Sequence, residues 1–182
     1  MRISQSLALT TLAAMAAISV AGCASESDDA PADHAAHGGH DHPADGGPAP
    51  AGIVEATDPT YPVGTEVTLT ADHMPGMDGA TATISGAYDT TAYAVSYTPT
   101  DGGDPVTNHK WVVQEELDGV GGEKLKAGDT ATITAEHMSG MQGAEATIDS
   151  STDETVYMVD IDSPEMTMKR HKWVVESEIQ PK

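Results

Sequence analysis

Between residues 64 and 113 apolar and polar side chains alternate with a period of two. Val67, Leu69 and Ala71 are interleaved with Glu66, Thr68 and Thr70, and the alternation resumes in Ala80-Thr-Ala-Thr-Ile84, Tyr93-Ala-Val95-Ser-Tyr97 and Trp111-Val-Val113. Successive side chains of a strand point to opposite faces, so each run predicts a strand with one buried face. Gly76, Gly79, Gly86 and Gly102-Gly103 punctuate the runs with turn chemistry, and helical periodicity is nearly absent.

The pattern then recurs. Gly64-Thr-Glu-Val-Thr-Leu-Thr-Ala-Asp-His73-Met74-Pro-Gly76-Met77-Asp-Gly79-Ala80 matches Gly128-Asp-Thr-Ala-Thr-Ile-Thr-Ala-Glu-His137-Met138-Ser-Gly140-Met141-Gln-Gly143-Ala144 at an offset of 64, which Tyr93 and Tyr157 keep. His109-Lys110-Trp111-Val112-Val113 matches His171-Lys172-Trp173-Val174-Val175 at an offset of 62, placing a two-residue deletion in between. A duplicated unit of about 50 residues follows. Short strands separated by Gly-x-x-Gly-Ala turns suggest, by analogy of fold, an all-β chain of two tandem small SH3-like barrels. The expected boundaries are repeat domain 1 at residues 57–118 and repeat domain 2 at 119–182, with the junction at about Leu117 to Leu125.

The other end of the chain is different. Arg2, the apolar run from Leu7 to Val20 and the sequence Val20-Ala21-Gly22-Cys23 read as a lipoprotein signal peptide over residues 1–22, with Cys23 the lipid-bearing first residue of the mature protein. This places the protein on the extracytoplasmic side of a membrane, anchored by lipid. With one cysteine, no intrachain disulfide can form, and acylation leaves no thiol for catalysis or metal binding. Residues 23–56 are rich in Ala, Asp, Gly, Pro and His, with too little apolar surface to offset ordering entropy, and read as a disordered tether.

Charge narrows the partners. The formal net charge is −21, and loss of Arg2 with the signal takes it to −22. That excess disfavours nucleic acid and anionic lipid headgroups and favours solubility and diffuse attraction of cations. Basic aromatic motifs of nucleic-acid binders are missing. There is also no nucleophile with a local base, no Gly-rich loop opening a helix and no His-Glu-x-x-His run, so the expectation is a protein without enzymatic activity.

The blocks His-Met-x-Gly-Met-x-Gly-Ala, Thr-x-Tyr-x-Val and His-Lys-Trp-Val-Val, each present twice behind a lipobox, resemble the YdhK-type family of bacterial lipoproteins, built from a tandem domain of unknown function. The likeness spans roughly residues 57 to 180 and implies export, duplication and a β-rich fold, but no activity. Pro75 in the first copy stands against Ser139 in the second, so that position is not chemically required.

Eight histidines divide evenly between tether and repeats. His34, His37, His40 and His42, with Asp33 and Asp41, offer imidazole and carboxylate on flexible backbone, a composition able to chelate divalent transition metals weakly and unselectively. In the repeats, His73, Met74 and Met77 recur as His137, Met138 and Met141. Thioethers favour Cu(I), and imidazole accepts either copper oxidation state. If first and last barrel strands pair, His73 approaches His109 and His137 approaches His171. One copper site would then be His73, Met74, Met77 and His109, and the other His137, Met138, Met141 and His171. The competing reading is structural: methionine fills small cores, and a buried histidine often only bonds nearby backbone. Trp111, Trp173, Tyr93, Tyr97 and Tyr157 are expected to fill the two cores. Two functions remain open: transition-metal binding, copper favoured, for buffering or hand-over, or a non-catalytic module that binds a cell-envelope polymer or membrane protein.

Overall fold

The computed structural model describes residues 42–182. Cys23, the signal peptide, and His34, His37 and His40 lie outside the described residues. The strands are β1 (Val54–Glu55), β2 (Glu66–Leu69), β3 (Thr81–Asp89), β4 (Ala92–Tyr97), β5 (Val106–Val113), β6 (Leu117–Asp118), β7 (Thr130–Ile133), β8 (Glu145–Thr152), β9 (Val156–Asp162), β10 (Thr167–Val175) and β11 (Ile179–Pro181). Two 3-10 turns, Gln114–Glu116 and Glu176–Glu178, follow β5 and β10. None of the described helices is long and apolar enough to cross a membrane.

The strands form two open sheets, not closed barrels. One runs β10-β9-β3-β2-β11, with β1 added on β3, and the other runs β5-β4-β8-β7-β6. This corrects the expected SH3-like closure, and the pairing shows why it fails. The free edge of β2 takes β11 of the second copy, with Leu69 opposite Ile179, instead of β5 of its own copy. Its counterpart β7 takes β6, with Ile133 opposite Leu117. In the middle of the sheets β3 pairs with β9 and β4 with β8. Each sheet therefore joins the first half of one copy to the second half of the other.

The cores follow the exchange. One packs Val67, Leu69, Met77 and Ile84 against Tyr157, Val159, Ile161, Val174 and Ile179, and the other packs Tyr93, Val95, Tyr97, Val112 and Leu117 against Ile133, Met141 and Ile148. Every one of these side chains is buried, and each such aliphatic contributes about 1.5–3 kcal/mol of transfer free energy. Trp111 and Trp173 do not fill these two cores as expected. They share a third cluster with Tyr88, Ala92, Ala94, Val113, Val156, Met158 and Val175, drawn from both sheets.

The Gly-Met-x-Gly turns also lock one copy to the other. Gly140 has φ +72°, and a Cβ there would lie 2.5 Å from the Asp101 carboxylate of the opposite copy; the equivalent Gly76, φ +82°, faces Glu165. Thr100 donates its backbone N–H to the Gly140 carbonyl at 2.8 Å, and Ser139 Oγ donates to Asp101 at 2.8 Å. A side chain at either glycine would meet both backbone strain and a neighbour.

Residues 42–56, read from composition as the end of the tether, carry contacts of their own. Asp45 forms an isolated backbone bridge to Lys169 of β10, and Val54 and Glu55 pair with Asp89 and Tyr88.

Candidate functional site

Two carboxylates organise the site. Glu178, at the end of the second 3-10 turn, accepts from His73 Nε2 at 2.7 Å, from Trp111 Nε1 at 2.9 Å and from the Val175 backbone N–H at 3.2 Å. Glu116, at the end of the first, accepts from His137 Nε2 at 2.9 Å, from Trp173 Nε1 at 2.9 Å and from Val113 N–H at 3.2 Å. Each triad is assembled across the copies, because His73 and Trp111 belong to the first and Glu178 to the second. The spacing that links His109 to His171 also links Glu116 to Glu178. That recurrence is the sequence signal for these two acids, which lie just beyond the His-Lys-Trp-Val-Val blocks.

Burial alone would raise the Glu116 carboxyl, yet it is held below its ordinary value of 4.5 by its pairing with His137 and by hydrogen bonds from Trp173 and Val113. Glu178 is lowered in the same way against its own burial, by His73, Trp111 and Val175. An ionised carboxylate only accepts, so His73 and His137 donate from Nε2. In the neutral tautomer, Nδ1 then carries the lone pair. Both Nδ1 atoms are buried with no hydrogen-bond partner among the described residues.

His109 and His171 reach the site from β5 and β10. Each follows a residue in the left-handed region, Asn108 at φ 51° and Arg170 at φ 48°. Each also pairs alone between two register shifts, with Val95 and Val159 respectively. Such bulges re-aim a side chain out of the regular alternation. Burial foremost, then neighbouring histidines, pushes both down to about 3, so both rings are neutral. Their Nε2 atoms are buried without a hydrogen-bond partner among the described residues.

The expected ligand sets are redistributed. His109 has its ring 6.2 Å from that of His137, across the copies, and also feels His73, His171 and His42 electrostatically. The histidines of both expected sites thus gather at one seam. Met77 and Met141 are fully buried in the two separate cores, away from that role, whereas Met138 is buried at the edge of its core and Met74 is half-buried against the other. Met138 also lines an open cleft of about 540 Å³ with His42, Pro43, Thr100, Glu136, Ser139, Gly140 and Gln142. Among the described residues no group of three or more His, Cys, Asp or Glu side chains is placed to hold a metal ion. The expected ligand sets are thus redistributed: the 3-10 turn carboxylates engage Nε2 of His73 and His137 and leave Nδ1, and the cores absorb Met77 and Met141.

Comparison with known proteins agrees with the duplication. The chain is 52% identical over 135 residues to the uncharacterized protein YdhK of Bacillus subtilis (strain 168), an overlap of 73% of this chain and 66% of that protein's length. A crystal structure of the Bacillus subtilis protein superposes with a TM-score of 0.73 at 51% identity, covering 75% of this chain and 94% of the solved one. A solution structure of a ydhK C-terminal domain from the same organism gives 0.64 at 52% identity, over 67% and 94% of the two chains. The model of DUF1541, a protein family of unknown function, matches residues 63–114 and again 127–176, and the chain belongs to that family, carrying its domain in two tandem copies.

Proposed function

We propose that this is a lipid-anchored, extracytoplasmic, non-catalytic protein that takes up a soft transition-metal ion, copper favoured, at the seam between the exchanged halves, for buffering or hand-over. The observation that carries this reading is the set of four buried imidazole nitrogens without a hydrogen-bond partner among the described residues: Nδ1 of His73 and His137, and Nε2 of His109 and His171. Buried polar atoms are nearly always paired, so four lone ones in pseudo-equivalent positions call for a ligand. Two of these rings have the opposite nitrogen fixed on a carboxylate, which sets the tautomer and raises the basicity of the other, as in second shells of metal-binding histidines. Neutral imidazole and the thioether of Met138 suit Cu(I), which is content with few soft ligands and needs no cluster of three hard or charged ones. On this reading the ligand set draws together on binding.

The test is a Cu(I) titration against a chromophoric chelator, on the lipid-free mature chain with His34, His37 and His40 replaced by Asn. Tight binding that is lost in His109→Ala with His171→Ala supports the proposal. Binding unchanged by those replacements sinks it. The repeats would then be read as an interaction module, with the His-Met blocks structural, as Met77 and Met141 already are.

A further inference from the structure

Residues 44–46 are fastened to β10 just before His171. Lys169 donates its backbone N–H to the Ala44 carbonyl at 2.9 Å, and Gly46 donates to the Lys169 carbonyl at 2.9 Å. Between these two bonds Asp45 receives the Arg170 guanidinium on both carboxylate oxygens, one contact being 2.8 Å from Nε. The fork geometry matches a planar guanidinium to a carboxylate, giving direction that a single contact would not. Gly46 lies so close to the strand that a Cβ there would sit 2.2 Å from the Arg170 carbonyl. Downstream, Ala49 and Ile53 pack against the tryptophan cluster. The segment is therefore fixed at both ends of a short strap that crosses the residue immediately before His171.

This attachment determines where His42 goes. It lines the cleft that holds Met138 and Gly140 and lies close enough to act electrostatically on both His109 and His171. A histidine read from sequence as part of a loose chelating tail thus lines a cleft with Met138, the residue next to His137.

We propose that residues 44–47 form a strap, latched by Asp45 on Arg170 and seated by Gly46, that makes His42 a binding residue of the seam and covers it. The proposal rests on the metal-binding reading for what His42 binds, but not for whether the strap is docked. A surface ion pair alone is worth little, whereas one reinforced by two backbone bonds and a glycine-only approach fixes position. Release of the strap would uncover the backbone of Arg170 and His171, against which Gly46 sits, for uptake or hand-over.

The test uses the lipid-free mature chain and the variants His42→Ala, Asp45→Ala and both together. Without metal, hydrogen exchange should show the Gly46 and Lys169 amides protected in the native chain and exchanging at least about tenfold faster in Asp45→Ala. Equal exchange in both overturns the latch, whatever the metal result. In Cu(I) competition, His42→Ala and Asp45→Ala should each weaken binding by about tenfold, as loss of a supporting partner does. The double variant should be no weaker than either single one, because Asp45 acts through His42. Losses that multiply, or no loss in His42→Ala while His109→Ala abolishes binding, overturn the role of His42. If the native chain takes up no Cu(I), the functional reading fails and His42 loses its role with it, while the exchange data still decide the latch.

Discussion

Glu178 lies 2.7 Å from His73 although 105 residues separate them along the chain, and the same carboxylate holds Trp111 and the Val175 amide. One side chain thereby joins a loop, a strand and a 3-10 turn from two copies of the repeat. Glu116 does the same in reverse and is the more deeply buried of the two. Replacing Glu116 by Ala strands three donors away from water, and loss of a partner from a buried hydrogen-bonded pair costs about 3–5 kcal/mol. Glu178→Ala should cost less, because its carboxylate retains 14% exposure and water can substitute in part. Urea denaturation of the two variants checks both the size and the order, and equal small losses would remove the carboxylates from the centre of the architecture.

Much of this was legible in the sequence. Period two marked the strands, the 64-residue offset marked the duplication, and Gly76, Gly79, Gly140 and Gly143 marked turns that the structure shows at positive φ, whereas Gly86, also read as a turn residue, lies inside β3. The exchange was not legible for a physical reason: since the copies share their apolar pattern, the edge of β2 is chemically as well matched to a strand of one copy as of the other. Leu69 opposite Ile179 and Ile133 opposite Leu117 are equivalent pairings, and nothing in either run states which copy supplies the partner. The seam was hidden with it, since His109 and His137 come together only once the halves have crossed.

The exchange predicts interdependent folding. Residues 57–118 alone keep β2 and β3 without β9 and β11, and β4 without β8, so each half would expose both a sheet edge and half of a core. Either repeat expressed by itself should lack dispersed amide resonances and a cooperative melt, or self-associate through the open edges. Mixing the two halves should restore the native spectrum. A single repeat that melts cooperatively as a monomer would count against the exchanged pairing.

Met77 and Met141 distinguish packing from ligation. Both are fully buried in separate cores, so truncation to Ala should cost about 2–5 kcal/mol, whereas Leu, of similar volume, should cost less than about 1.5 kcal/mol. Neither Leu variant should alter Cu(I) affinity or stoichiometry. A Met77→Leu protein of native stability that loses a copper equivalent would return this methionine to the ligand set.

Acid should unfold the metal-free protein from the histidine side first. His109 and His171 are pushed down from 6.5 to about 3, so below pH 6.5 the unfolded chain binds two protons that the folded chain refuses. Stability therefore falls as pH drops from 6.5 toward 3, with a slope of up to about 2.7 kcal/mol per pH unit where both sites differ fully. The carboxylates act later. Glu116 and Glu178 are lowered from 4.5, so their contribution is complete above 4.5 and is lost as pH falls from there through the lower folded-state values. Urea midpoints measured from pH 8 to pH 4.5 should hold level above pH 7 and decline steeply below pH 6, and replacing His109 and His171 together by Asn should flatten that decline. A midpoint that stays level down to pH 4.5 would mean that the two rings accept protons in the folded state, and the neutral, lone-pair-bearing imidazoles on which the seam depends would be lost at mildly acidic pH.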